Sequence, residues 1–469
     1  MYKFLLFLLL FSISSAGTKI NFVFTHVNTG NGLSQNTIKG IVQDDMGFMW
    51  IGTEDGLNLY DGYNCRIFKT DPLAENSISD NFITAMVKDS KGYIWIGTNS
   101  GGVNKLDPLT GIFTVFKNSQ VDENSLSINN VWSLAVDKKD NIWVGLGQGG
   151  LNKINSYTGK VERIDLGLPV NMTVLSVTID KSDRIIIGTE NYGLYVYDPN
   201  SKKALSGESH GIPSNSIVSA VLCDSRGILW VGTADGLFKM ERGLKTPEYY
   251  SVYNKEKGLP TNYVRTIMED SRGRIWIGTV GGITLITETD EVVLIRNTEQ
   301  NFASLSNNYI WTIYQDKNGI IWIGTKTGGI NKLNGRKSGF IQYTAGTDGG
   351  SGLSDNTIRT IFQERSGRLW AGTLNFGLNL YDPSSDSFVK YDYTKYGSEV
   401  SHNYIIALAQ DFKDNLWIGT WGSGVQVTHA KGDVRSLKFE KVLSLKHNPS
   451  NASSLTSDFI QAIFQDRQN

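Results

Sequence analysis

Six side chains have the types that grip polar, ring-shaped ligands: Lys39, Trp132, Arg265, Trp311, Arg359 and Trp421. An indole offers a flat apolar face on which a sugar ring can stack, and a nearby ammonium or guanidinium bonds hydroxyls or acidic groups. Their spacing selects them, because they occupy two positions of a repeat at which the other copies carry unlike residues. The first position runs Lys39, Thr84, Trp132, Leu175, Ser219, Arg265, Trp311, Arg359, Ile406, and the second runs Glu54, Asn99, Gly147, Glu190, Ala234, Val280, Lys326, Leu374, Trp421. Side chains that fill a core do not vary so widely. Both positions are therefore expected at one rim of the fold, with Lys39, Trp132, Arg265 and Trp311 lining the mouth of a first ring. The competing reading is that each merely covers an apolar edge with a ring or an aliphatic stem.

No comparable cluster points to catalysis. The five histidines, His26, His210, His402, His429 and His447, share no repeat position, and the chain has no metal-ligand spacing, nucleophile elbow or phosphate loop. No enzymatic activity, cofactor or metal is expected of this chain. With 19% charged residues, a net charge of −1 and no long Lys or Arg run, the electrostatic footprint of a nucleic-acid binder is missing. Cys65 and Cys223 fall in different copies and at different positions within them, so each reads as a small apolar filler rather than half of a disulfide.

The elements that must position the rim follow from the repeat itself. Trp50-Ile51-Gly52-Thr53 recurs at Trp95, Trp143, Ile186, Trp230, Trp276, Trp322, Trp370 and Trp417, nine copies spaced 43 to 48 residues apart. A period in the forties, with 50 glycines, 11 Trp, 20 Tyr and 20 Phe, describes four-stranded propeller blades: an all-β protein of short strands, tight turns and ring packing. In the first copy Asn36 to Gln43 reads as the inner strand, followed by Phe48 to Thr53, Leu57 to Tyr60 and Arg66 to Lys69. The Asp44-to-Gly47 turn recurs with Gly, or with Asp140, Asp183 and Asp414, at a position needing positive φ. The inner strand carries a small residue at its fifth position, suited to crowding about an axis. The tryptophans Trp50, Trp95, Trp143, Trp230, Trp276, Trp322, Trp370 and Trp417 are expected to seal each blade to a neighbour.

Nine copies exceed the usual 4 to 8 blades of one ring. The glycine-rich stretch Gly346 to Gly352, followed by an echo of the N-terminal Gly32-Leu33-Ser34, suggests a cut. Residues 20–345 are then a seven-bladed β-propeller and residues 346–469 the first blades of a second, truncated one, with a single larger ring as the competing arrangement. A strand at Asn21 to His26 is expected to close the first ring, and Ser457 to Asp466 to be a tenth inner strand. Residues 1–16 have a weakly basic start, an apolar run and a small-residue cleavage site, the pattern of a secretory signal peptide. The run is about half the length of a membrane span, which needs about 20 apolar residues.

The opening Gly32-Leu33-Ser34-Gln35-Asn36-Thr37-Ile38, then Gln43-Asp44, then Phe48 to Gly62 resembles the first repeat of the regulator-propeller sensors of hybrid two-component systems. The resemblance implies a periplasmic, ligand-sensing region of a histidine kinase that detects glycan-derived oligosaccharides and regulates their use. It also implies a homodimeric full-length receptor, tethered to the inner membrane by a segment outside these residues, with kinase and DNA-binding parts likewise outside them. The alternatives are a propeller sensor serving another output, such as a diguanylate cyclase, or a secreted propeller lyase or scaffold.

Overall fold

The computed structural model describes residues 22–74, 76–169, 171–241, 246–254, 257–298, 301, 303–333, 343–345, 352–391, 403–434 and 436–466. The signal peptide read at 1–16 and most of the glycine-rich link at 346–352 lie outside these residues. The chain divides into two compact units, residues 1–337 and 338–469.

Every copy of the repeat folds as a four-stranded antiparallel sheet, giving nine sheets among the described residues. Blade 1 runs from the inner strand Ile38–Gln43 through Met49–Thr53 and Gly56–Tyr60 to the outer strand Cys65–Phe68. Its first hairpin turns at Gly47 with φ 97°, and where glycine is missing Asp140, Asp183 and Asp414 take φ of 59°, 61° and 62°.

The turn aspartate does more than cap. Asp44 Oδ1 accepts from the Phe48 backbone N–H at 2.9 Å, while Oδ2 accepts from Trp50 Nε1 at 2.9 Å. The same bond joins Asp89 to Trp95, Asp137 to Trp143, Asp224 to Trp230, Asp270 to Trp276, Asp316 to Trp322, Glu364 to Trp370 and Asp411 to Trp417, at 2.7 to 3.1 Å. A buried indole N–H must find an acceptor, and a buried carboxylate must find donors; here each answers the other. The bond fixes the ring, which then packs on the next blade. Trp95 clusters with Val131, Leu134 and Ile142 of blade 3, and Trp143 with Val174, Ile185 and Ile187 of blade 4.

The same sealing joins the last blade of the first unit to its first. Trp322 of blade 7 packs with Ile38, Ile41 and Met49 of blade 1. A Cβ on Gly324 would stand 2.7 Å from Ile38 Cγ2, so only glycine allows that approach. Blade 7 takes three strands from Ile310–Gln315, Ile321–Thr325 and Ile330–Leu333, and its outer strand is Phe24–Val27, paired antiparallel with Ile330–Leu333. The ring is thereby closed by joining the two ends of its own chain, which removes a free strand edge.

The second unit holds blade 8, from Ile358–Gln363 to Ser387–Tyr391, and blade 9, from Ile405–Gln410 to Lys438–Leu445. The fold is thus a seven-bladed propeller followed by two blades of another. Ser457 to Asp466 corrects the expectation of a tenth inner strand. It forms no strand and instead meets blade 9 through a bridge between Phe459 and Trp421, a hydrogen bond from Ile460 N to Thr420 O at 3.0 Å, and the Asp458 carbonyl, which accepts from Gly422 N and Gly424 N at 3.0 and 2.9 Å. An inner strand owes its ladder to its own second strand, and the described residues offer none there. Trp417, beside this segment, is only partly buried, unlike the other seven blade tryptophans.

Candidate ligand site at the mouth of the first ring

The rim is built by an irregularity that the repeat pattern hides. In blade 1 the register skips from Ile38 to Gly40, leaving Lys39 without a cross-strand partner. The same β-bulge recurs at Thr84, Trp132, Leu175, Ser219, Arg265 and Trp311. A bulge bends its strand and re-aims the extra side chain. All seven bulged residues, one from each blade, line a single cavity of about 160 Å³ together with Phe82 and Asn99. Lys39, Trp132, Arg265 and Trp311 therefore line one cavity, although they come from four sheets.

Their arrangement is specific. Lys39 Nζ lies 3.2 Å from Glu54 Oε1 and 3.2 Å from the centre of the Trp311 ring. The Arg265 guanidinium stands 4.4 Å from the Trp311 ring and 4.4 Å from that of Tyr263, and its Nε and Nη2 donate to Tyr309 Oη at 3.1 and 2.6 Å. Trp311 is thus held between two cations, each attracted by the negative face of the ring. Trp132 differs: 44% of its surface is exposed, and its Nε1 donates to Asn130 Oδ1 at 2.7 Å. Asn130 Nδ2 in turn donates to Asn99 Oδ1 at 2.9 Å, so the indole is braced at its edge while nearly half of the side chain stays exposed. Two buried polar atoms at this site, Trp311 Nε1 and Thr84 Oγ1, have no hydrogen-bond partner among the described residues.

Burial pushes the Lys39 ammonium below its ordinary value; the bond and charge of Glu54 oppose that, while the charges of Arg265 and Lys326 add to it. Two cations share the mouth with one carboxylate, so the site favours an anionic or hydroxyl-rich group over a cation.

Arg359 and Trp421 belong to the second unit and do not line this cavity. Arg359 is the exposed bulged residue of blade 8, and Trp421 packs edge-on against Phe459 at 5.3 Å between ring centres. Cys65 and Cys223 are free thiols on blades 1 and 5. No group of metal-ligating side chains occurs among the described residues, and none of their helices is long and apolar enough to cross a membrane. The bulge left no mark in the sequence beyond the variability of its residue. The Asp-to-Trp bond was visible as a constant separation of six residues, as in Asp44 and Trp50, but turn chemistry alone accounted for the aspartate.

Comparison with known proteins follows this architecture. Over 61 residues the chain is 41% identical to histidine kinase P4 of Formosa agariphila, a stretch covering 13% of this chain and 4% of that protein. The extracellular domain of the hybrid two component system BT3049 of B. thetaiotaomicron shares the fold at a TM-score of 0.69 and 24% identity, over 91% of this chain and 55% of that one. That of the hybrid system BT4673 of the same organism aligns with a TM-score of 0.55 and 23% identity, over 96% of this chain and 64% of that one. This chain therefore spans between half and two thirds of those domains. The two component regulator propeller repeat matches residues 32–55, 77–100, 125–148, 211–235, 258–281, 304–327, 352–375 and 399–422. Each match covers the inner strand and the tryptophan strand of one blade, and the unmatched blade 4 is the one with Ile186 in place of tryptophan. Eight such repeats, one to a blade, make this chain a member of the two component regulator propeller family.

Proposed function

We propose that this chain is the extracytoplasmic, ligand-sensing region of a two-component sensor kinase, and that its first ring binds the acidic end of a glycan-derived oligosaccharide. The carrying observation is the convergence of seven bulged side chains on one cavity, with a partly exposed indole and two cations among them. Trp132 supplies the stacking face. Lys39 and Arg265, anchored on Trp311, supply the donors for a carboxylate or sulfate. The cavity, at about 160 Å³, is below the range of about 300–1,000 Å³ typical of whole small-molecule sites, so it takes the tip of a ligand rather than its length. The remainder would lie across the rim residues that follow each tryptophan strand, Glu54 and Asn99 among them. The chain itself recognises and does not catalyse; phosphoryl transfer belongs to the kinase part of the full-length protein, which sits on the other side of a membrane and dimerises.

Calorimetric titration of the purified chain with matched acidic and neutral oligosaccharides tests this reading. An acidic member should bind, and Trp132→Ala should weaken it by about 5- to 150-fold, the worth of a stacking contact of about 1–3 kcal/mol. A ligand whose affinity is the same for the wild type and Trp132→Ala would place recognition elsewhere.

A further inference from the structure

We infer that the first ring carries a second binding site, a slot between blades 4 and 5 that takes a flat heteroaromatic ring bearing a ring N–H. This rests on a different observation from the mouth. At the other six blade junctions of the ring a tryptophan seals the gap and donates its N–H to a turn carboxylate. Blade 4 has Ile186 there, in register between Thr178 and Val196. The acceptor, however, is still in place. Asp180 is buried, and its Oδ2 accepts only from Arg184 among the described residues, through Nε and Nη2 at 2.7 Å each.

Blade 6 shows that this arginine does not use up the carboxylate. There Arg274 Nε and Trp276 Nε1 share Asp270 Oδ2 at 2.7 and 2.8 Å. Blade 4 therefore has the arginine, the carboxylate and the backbone of that arrangement without the indole. In its place is a cavity of about 530 Å³ whose lining includes Asp180, Ile186, Val196, Leu229 and Met240. That volume is in the range of small-molecule sites. Lys181, Arg184 and Arg226 also line the cavity, but its third-strand wall is apolar. In blades 2, 3, 5 and 7 a lysine of the third strand, Lys105, Lys153, Lys239 or Lys332, lies over the tryptophan ring at 4.7 to 5.6 Å. Val196 holds that register position in blade 4, leaving an apolar face. A ring of indole type would bury its faces between Val196 and the Leu229 side and donate its N–H to Asp180 Oδ2.

The probe is indole itself, titrated into the purified chain by calorimetry, with benzofuran as the ring of equal shape that lacks the N–H. Indole should bind saturably, and benzofuran at least about tenfold more weakly, because a hydrogen bond to a charged acceptor is lost. Ile186→Trp fills the slot from within and should abolish indole binding; Met240→Phe, which narrows it from the blade 5 wall, should do so if the first variant does not fold. Absence of saturable indole binding, equal affinity for benzofuran, or binding that survives the filling substitution would each overturn the assignment.

Discussion

The bond between turn aspartate and blade tryptophan should be an energetic coupling and not only a geometric one, and the pair Asp89 and Trp95 tests it. Asp89 is 3% exposed and Trp95 fully buried. Asp89 Oδ1 accepts from the backbone N–H groups of Lys91 and Tyr93, each at 3.0 Å, and Oδ2 accepts from Trp95 Nε1 at 2.9 Å. Asparagine keeps the shape but replaces one acceptor by an NH2 donor. Whichever way the amide turns, either the indole N–H or the two backbone N–H groups then face a donor. A stranded buried donor costs about 1–3 kcal/mol, so Asp89→Asn should destabilise by about 2–3 kcal/mol. Trp95→Phe removes the N–H and part of the ring from a packed interface, a loss of about 2–4 kcal/mol by the transfer and cavity terms together. In Trp95→Phe the indole N–H is already gone, so the amide of Asp89→Asn can turn its oxygen to the backbone at little further loss. The double variant should therefore fall short of the sum by about 1.5–3 kcal/mol. Urea unfolding of the four proteins, with the slope checked for constancy, reads this directly. Distant sites add to within about 0.5 kcal/mol, so a coupling no larger than that would refute the idea that the bond holds the ring in place.

Two further perturbations follow from the same architecture. Phe24 is 3% exposed within the cluster of Trp276, Ile310 and Leu333, on the strand that closes the ring, so Phe24→Ala should cost about 3–5 kcal/mol and speed amide exchange in Ile330–Leu333 above all; uniform exchange with blade 7 still protected would show that closure does not depend on that strand. Acid should weaken the ring through Asp224. Burial raises its carboxyl, but the donors Trp230 Nε1, Ile228 N and Arg226 outweigh burial and hold it below the ordinary value. A depressed native value means that the unfolded chain takes up the proton first. The stabilisation is thus complete above the ordinary aspartate value of about 4 and disappears as pH falls through the lower native one. Between pH 6 and 3 the wild type should lose more of its unfolding midpoint than Asp224→Asn, and parallel losses would exclude this carboxylate as a contributor.

What could be read from the chain before its fold divides along a physical line. Constraints that act within one copy of the repeat, such as Gly47 at φ 97° and Asp183 at φ 61°, leave a residue type at a fixed place, and the blades were legible for that reason. The closing strand was legible because an apolar segment before the first repeat had one free edge to pair with, in blade 7. The register skip at Lys39 was not, because a bulge is defined by the partner strand and imposes no residue type on the side chain it expels. Only its consequence showed, as licence to vary. Trp311 carries the same lesson inside the site. Its residue type promised a stacking face, yet Lys39 and Arg265, from the first and sixth blades, press on that ring, and the exposed side chain is that of Trp132. Contacts between blades that are far apart in the chain decide which of two tryptophans can meet a ligand. Blade 4 turns this around: because the other six junctions show what the seventh lacks, Ile186 beside the retained Asp180 carries meaning only when the copies are laid over one another in three dimensions. In a repeat protein the departures from the pattern are where specificity can reside, since the pattern itself is committed to holding the ring together.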